Sequence, residues 1–426
     1  MLLKIRDTLL SNISQQVAGI AIFLTIPRIL SVEDYATTVF VSVLLSFVSL
    51  ADFGFTFVYS RKLPVLHHLS DENELARWHS TAFWFPFIAA FVMGFILALI
   101  YYIKFHIFLH SVFIFFIPAC IALTTFFSAK YTAQGDFSVY RNLNFIQSIL
   151  KTFTIPFIFF SGLWGWFIGQ IIMSAAGCSR LWKENLPTVK SFDMQLIINH
   201  FYEGLSLIVV FSLWTQLMGL GRLLSASHYT KAMIADYGIM SAAYQIPTTL
   251  ILAAFIPFSV YILKMMSVDE KKTVATIFKV IFITFPALFF LIIISQTVAP
   301  YLFKYFFAKY QYDAVIFELF LYGLITLPII LTLGNVFIAK QKVFYYIGLL
   351  GVSFLIGLVT FYYMLPIYGN HAAALAQLIG LSACALLMLT VSLILFYEII
   401  DKKIQKLLSV LLIWILFAIF EFKVMH

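Results

Sequence analysis

Asn144, Gln147, Ser148, Lys151 and Thr152 sit inside an otherwise apolar stretch, 141–161. Their spacing of i, i+3, i+4, i+7 and i+8 puts them on one face of a helix. Lys151 lies near the middle of that stretch, too deep for its stem to carry the ammonium easily to an interface. Such a face can form a cationic wall for an anionic, phosphate-bearing ligand, with Asn144 and Gln147 bonding its neutral polar groups. The plainer alternative is a structural ion pair between Lys151 and an acid on another helix. Weaker polar stripes recur elsewhere. One contains Asn12, Gln15, Gln16 and Gly19, and another Ser42, Ser46, Ser49, Thr56 and Ser60 with Asp52 beside it. A third contains Tyr237, Ser241, Tyr244, Gln245 and Thr248, headed by Asp236, and a fourth Glu318, Tyr322 and Thr326. Amides and hydroxyls in these positions suit a sugar, although Ser and Thr also bond back to their own helix. Asp52, Asp236 and Glu318 are the candidate ion-coupling carboxylates, because an apolar surrounding favours the protonated acid. Asp52 and Asp236 can equally be caps near an interface.

The elements that carry these residues are membrane spans. Of the 426 residues, 62% are hydrophobic and 11% are charged, and the mean hydropathy is +0.99. Soluble domains carry about 25% charged residues, so most of this surface must face lipid. Runs near the ~20 residues that a spanning helix needs lie at 9–30, 36–59, 80–103, 107–129, 141–161, 163–181, 204–224, 234–262, 276–298, 314–338, 343–365 and 371–398. These imply an all-α integral membrane protein of about twelve transmembrane helices. The run 407–422 is short, and either spans or lies at the interface. The runs are too long and too continuously apolar for a barrel. The N-terminal run contains Asn12, Gln15 and Gln16 and reads as a retained span rather than a leader.

Placing the N-terminus in the cytoplasm puts Arg61, Lys62, Arg77, Lys130, Arg141, Lys271, Lys272, Lys340 and most other cations on the inner side. Only Arg28, Lys104, Arg222, Lys231, Lys304 and Lys309 fall opposite, a strong bias under the positive-inside rule. The net charge of +8 therefore belongs mainly to short, scattered loops facing anionic lipid, a poor fit to a nucleic-acid partner, and none is expected. The largest loop, roughly 182–203, divides the spans six and six. The expected organisation is an N-terminal half over 1–190, a C-terminal half over 191–400, and a basic segment with a short apolar helix over 401–426. Both halves enter from the cytoplasm, so a repeat between them would be parallel, around a central cavity.

Cys120, Cys178 and Cys384 are far apart in apolar runs, with no metal or redox spacing. No HExxH, GxSxG or Walker loop occurs. No catalytic residue, cofactor or metal site is expected, and ATP hydrolysis by this chain is excluded. Ala372, Ala376, Gly380 and Cys384, and likewise Gly165 and Gly169, read as close helix-packing rows.

Arg28 to Tyr35 reads RILSVEDY, and Arg222 to Tyr229 reads RLLSASHY. Each phrase closes the first span of a half, which suggests equivalent places. Snorkelling arginines with interfacial tyrosines are the alternative. The stretch IPRILSVEDYATTVFVSVLLSFVSLADFGFTFVYSR resembles the start of Wzx-type polysaccharide flippases, with Arg28, Leu30 and Tyr35 and then Asp52, Phe53 and Gly54. GRLLSASHYTKAMIADYGIMSAAYQI resembles their second-half pattern, except that Gly221 stands where an Asp commonly precedes the arginine. The resemblance implies translocation of undecaprenyl-diphosphate-linked oligosaccharide across the bacterial inner membrane, as for O-antigen. It implies exchange against H⁺ or Na⁺, and a polysaccharide polymerase and chain-length regulator as partners. Lys151, Arg28, Arg222, Asn144, Gln147, Gln15 and Gln245 would then contact the substrate. A cation-coupled drug exporter and a membrane polysaccharide polymerase are the rivals. The polymerase would want a large periplasmic loop, which is lacking here.

Overall fold

The computed structural model describes residues 2–69, 72–181, 183–184, 186–266 and 268–395. The run 407–422, the whole 401–426 segment and the side chain of Asn12 lie outside what it describes. The helices are α1 Leu2–Ile29, α2 Val32–Leu45, α3 Phe55–Leu69, α4 Glu72–Phe105, α5 Phe108–Gln134, α6 Phe137–Ser161, α7 Leu163–Ser174 and α8 Cys178–Leu181. They continue as α9 Met194–Met218, α10 Leu220–His228, α11 Lys231–Met265, α12 Glu270–Phe306, α13 Ala314–Gly323, α14 Leu327–Ala339, α15 Val343–Tyr368 and α16 Ala372–Leu395. There is no strand among the described residues. The protein is an all-α integral membrane protein, and the described part of each of the twelve expected spans falls on a helix or a broken pair of helices. Among the described residues, eight stretches are long and apolar enough to cross a membrane by length and composition alone. One of them, Val343–Leu395, holds both α15 and α16.

The breaks have local causes. Gly162, at φ 56 and ψ −129, ends α6 and starts α7. Gly369, at φ 52 and ψ −117, ends α15. Both occupy positive-φ conformations that favour glycine, and each turns a helical hairpin. These hairpins close through the expected small-residue rows. A side chain at Gly165 would meet the Phe157 backbone, and one at Gly169 would meet Thr154. A side chain at Gly357 on α15 would stand 3.1 Å from the Ala376 carbonyl oxygen and 3.6 Å from the Gly380 Cα of α16.

The chain divides into two compact units, Met1–Ser212 and Leu213–His426. In the first unit α1 packs along α6, α6 along α7, and α4 along α5. Its core is aromatic, with Phe55, Tyr59, Trp78, Phe83, Phe126 and Tyr131 among the buried rings. In the second unit α15 packs along α16, and α11 along α14. Tyr237 and Tyr244 of α11 both pack against Phe320 of α13, at 5.2 Å between ring centroids. Large apolar side chains lie outward: Phe153, Phe159 and Phe160 on α6, Phe289 and Phe290 on α12, and Tyr362 and Tyr363 on α15 are all exposed. That arrangement suits a lipid solvent and would be untenable in water.

The long loop is shorter than the sequence suggests. Helix α9 starts at Met194, not near 204, because Asp193 supplies a cap: its Oδ1 accepts from the Gln195 amide at 2.8 Å. Arg77 also donates to this carboxylate, and that hydrogen bond holds Asp193 below the usual carboxylate range. The loop lies on α4, where Ser80 donates to the Thr188 carbonyl at 2.8 Å and Trp84 to the Pro187 carbonyl at 3.0 Å. Cations expected on the inner side are engaged with acids at helix ends. Arg141 pairs with Asp7 at 2.8 Å, Lys130 with Glu184 at 2.5 Å, and Lys340 with Glu270 at 2.5 Å.

Candidate functional site

The polar face of α6 is turned onto α1, and the two helices meet in a ladder. Asn144 Nδ2 donates to Ser11 Oγ at 2.6 Å, and Ser148 Oγ to Ser14 Oγ at 3.2 Å. Gln15 Nε2 donates to the Asn144 carbonyl at 3.1 Å and to Gln147 Oε1 at 3.0 Å. Three of the expected substrate residues, Gln15, Asn144 and Gln147, are thus brought together. Their arrangement corrects the simple picture of a polar wall. Asn144 and Ser148 are buried as rungs between helices, because amides in an apolar medium must find partners. Gln147 and Gln15 are half-buried.

Lys151 ends this ladder. Its ammonium lies 3.7 Å from the place a Cβ on Gly19 would occupy, so the glycine leaves the space open. Among the described residues no carboxylate lies within ion-pair distance of Lys151. The side chain is half-buried, at least ~15 Å of helix rise from either end of α6. The structural ion pair that the sequence allowed is not formed with any described acid. A lone ammonium at such depth costs about 2.5–3.5 kcal/mol on insertion scales. Two carboxamides beside it, Gln15 and Gln147, supply neutral donors and acceptors. The group is suited to bind an anion that carries hydroxyls.

The second unit has a comparable pair. With its amide oriented to satisfy both contacts, Gln245 accepts from Arg222 Nη1 at 2.8 Å and Nη2 at 3.1 Å. Gln245 is exposed and Arg222 half-buried. The remaining residues of that α11 stripe, Tyr237, Ser241, Tyr244 and Thr248, are buried inside the unit, so only Gln245 leaves the packed face.

The repeated phrase does not occupy equivalent places. Arg28 stands in the last turn of α1, exposed. Arg222 stands near the start of α10, which continues to His228. Ser31 caps α2, accepting from the Asp34 amide at 3.0 Å, whereas Ser225 lies within α10 and bonds back to the Arg222 carbonyl. The position matching Ser31 is Thr230, which precedes α11 with nearly the same dihedrals, φ −69 and ψ 160 against −63 and 160. A short polar match can align by letter while the helix ends fall elsewhere, since end position is set by caps. Tyr229 serves that turn: its hydroxyl lies 3.0 Å from the Asn370 carbonyl and 3.3 Å from the Ala373 amide, joining it to the start of α16.

The three carboxylates have separate surroundings. Asp52 is buried, and both its oxygens accept backbone amides, from Gly54 at 3.0 Å and Thr56 at 2.9 Å. It caps α3 after a left-handed turn through Phe53 (φ 50) and Gly54 (φ 79). A Cβ at Gly54 would fall 2.1 Å from the Gly204 carbonyl oxygen of α9, so the glycine is required there. The Asp-Phe-Gly turn is therefore a structural joint. Asp52→Ala is expected to cost about 0.5–2 kcal/mol of stability, while Asp52→Asn keeps an acceptor and most of that stability. Thermal unfolding of the detergent-solubilised protein checks this. A role in ion coupling would instead make Asn as damaging to transport as Ala. Asp236 Oδ1 accepts from the Gln311 amide at 3.0 Å, tying the loop before α13 to α11. Glu318 is half-buried on α13.

Sequence reasoning missed one cluster. Tyr59 Oη lies 2.6 Å from His79 Nδ1, and His79 lines a cavity together with Lys130, which pairs with Glu184. Isolated Tyr and His letters on separate helices carry no spacing signal; only the packing of α3 on α4 and α5 unites them.

No family model and no curated protein matches the chain. Solved structures do. Lipid II flippase MurJ in an inward closed conformation is similar over 100% of both chains, at 16% identity and a TM-score of 0.63. An inward-facing multidrug resistance MATE family transporter of the MOP superfamily is similar over 90% of this chain and 95% of its own, at 14% identity and a TM-score of 0.60. The Vibrio cholerae MATE transporter VcmN in its bent form is similar over 94% and 98%, at 15% identity and 0.59. At such identities the likeness establishes the fold alone, an all-α multi-pass membrane architecture of about twelve helices in a pseudo-repeat.

Proposed function

We propose that the chain is a flippase of the bacterial cytoplasmic membrane. It moves undecaprenyl-diphosphate-linked oligosaccharide repeat units from the cytoplasmic to the periplasmic leaflet, for O-antigen or another surface polysaccharide. The observation that carries this reading is Lys151: a mid-helix ammonium with no described acid beside it, at the open end of a carboxamide ladder. A drug cation would be repelled by that group, whereas a diphosphate bearing a sugar gains both charge and hydroxyl contacts. Gln15 and Gln147 bond the sugar, and Arg28, Arg222 and Gln245 engage acidic or phosphate groups nearer the outer mouth. The N-terminus lies in the cytoplasm, and the cycle runs by alternating access against H⁺ or Na⁺. The polymerase and chain-length regulator act on the delivered unit.

The fold likeness to MATE transporters supports a second reading, a cation-coupled exporter. One experiment separates the two. In a strain lacking this protein, lipid-linked sugar is extracted and its leaflet read with a lectin confined to the periplasmic face. Completed units trapped on the cytoplasmic side are the expected result. Units reaching the periplasm unpolymerised, or no accumulation at all, would count against a flippase; the latter with increased drug sensitivity would favour the exporter.

A further inference from the structure

Beyond the Lys151 site, the first unit holds a second titratable cluster at the ends of α3, α4 and α5. A cavity of about 210 Å³ is lined by Ala76, His79, Phe126, Lys130, Pro187 and Thr188. At about 30 Å³ per molecule in the liquid, a polar space of this size holds several waters. On one side Tyr59, fully buried at 0% exposure, reaches His79 Nδ1 at 2.6 Å. On the other, Lys130 bonds Glu184 Oε2 at 2.5 Å, and Tyr131 donates to Glu184 Oε1. Arg180 lies 5.5 Å from the Tyr131 ring centroid. The groups near His79 include Tyr59 from α3, Lys130 and Tyr131 from α5, and Glu184 from the loop, with the Arg77–Asp193 pair close to the head of its own helix.

The Tyr59–His79 contact tolerates both protonation states of the ring. The phenol donates to Nδ1 when the imidazole is neutral, and accepts from Nδ1–H when it is charged. Only the hydroxyl hydrogen turns, so the buried phenol keeps its partner throughout. Histidine is the side chain whose ordinary range makes this exchange usable near neutral pH. The loop that roofs the cavity is bonded to the same helix through Ser80 and Trp84, and runs through Asp193 directly into α9. A charge gained at His79 is added beside Lys130⁺ and Glu184⁻, and so alters the hold on this loop and on the start of α9.

We propose that the Tyr59–His79 pair and the cavity lined by His79 and Lys130, whose ammonium is paired with Glu184, form the proton-exchange site of transport, opening to the cytoplasm. This rests on the transporter reading above and names its coupling ion. A proton passes between cavity water and the His79 imidazole and returns by the same path, the Tyr59 hydroxyl turning to stay bonded at Nδ1; no covalent bond other than N–H and O–H changes.

The test uses the full-length chain in liposomes with a synthetic polyprenyl-diphosphate oligosaccharide as probe. Leaflet exchange is read by lectin, with and without an imposed pH difference, alongside an NMR titration of ¹³C-histidine-labelled protein. The wild type should flip faster with a proton gradient, and His79→Gln should lose that acceleration. Tyr59→Phe leaves His79 in place and should displace its titration midpoint by about half a unit to one unit. Acceleration that survives in His79→Gln would overturn the proposal and leave the flippase reading intact. If the wild type moves no probe in either arm, the flippase reading fails. The titration then decides for the site: a His79 ring that titrates between about pH 5 and 8 and responds to Tyr59→Phe supports it, and a ring neutral throughout overturns it.

Discussion

Lys151→Ala is expected to lower flipping roughly 10- to 100-fold while leaving the protein as stable as before, or more so. A hydrogen bond from a charged donor contributes about 1.5–3 kcal/mol, and 1.4 kcal/mol corresponds to about tenfold in rate. The stability half of the prediction discriminates. If Lys151 were half of a buried ion pair, removing it would strand its partner at a cost of about 3–5 kcal/mol. An ammonium without a described carboxylate leaves no such stranded group, and its deletion relieves the cost of holding charge in the membrane. Lys151→Arg should restore part of the activity and Lys151→Gln little, because the charge, not the hydrogen-bonding capacity, is what the ladder already lacks. Gly19→Leu should mimic Lys151→Ala by covering the ammonium from the open side. The checks are lectin-read flipping in liposomes and thermal unfolding of the same preparations. Lower stability in step with lower flipping would show a structural role.

The spans were legible because the solvent is legible: runs such as 276–298 and 343–365 are too apolar and too long for anything but a membrane. The packing rows of Gly165, Gly169 and Gly380 could also be read, since small residues at i+4 spacing have one common use in helices. The site was legible only in part. The α6 spacing correctly placed Asn144, Gln147, Ser148 and Lys151 on one face, but a single helix's periodicity does not say what that face meets. It meets α1, and the ladder absorbs Asn144 and Ser148 while leaving Lys151 unmatched. Asp52 was legible only as a choice between an ion-coupling carboxylate and a cap. Its amide contacts fit the cap, and the turn before α3 is set by Phe53 and Gly54 at positive φ. The paired phrases at Arg28 and Arg222 misled because letters repeat more readily than helix ends do.

The missing acid before Arg222 has a steric explanation, and it sets the second large expected effect. The Gly221 amide donates to Gln377 Oε1 at 3.0 Å, which holds α10 directly against α16. A Cβ at this position would stand 2.0 Å from the Tyr237 hydroxyl oxygen and 3.0 Å from Gln377 Oε1. Tyr237 is 1% exposed, so its ring has nowhere to withdraw. Overpacking at such a point costs about 1–3 kcal/mol, and Gly221→Ala should lower the unfolding temperature accordingly. Gly221→Asp, which would rebuild the commoner sequence, should do worse by adding a buried charge. The hydroxyl that causes the clash has no hydrogen-bond partner among the described residues. Tyr237→Phe alone should therefore be neutral or stabilising, since it removes an unsatisfied buried group. Combined with Gly221→Ala it should recover much of the lost stability, because the nearest obstructing atom is gone. The coupling between the two substitutions, read from thermal unfolding of both singles and the double, is expected to be favourable by about 1 kcal/mol or more. Strict additivity would mean that the helices part at Gly221 rather than meeting Tyr237. The Arg222–Gln245 pair, one residue along, would then be free to lose its alignment in the glycine variant without any contribution from the tyrosine.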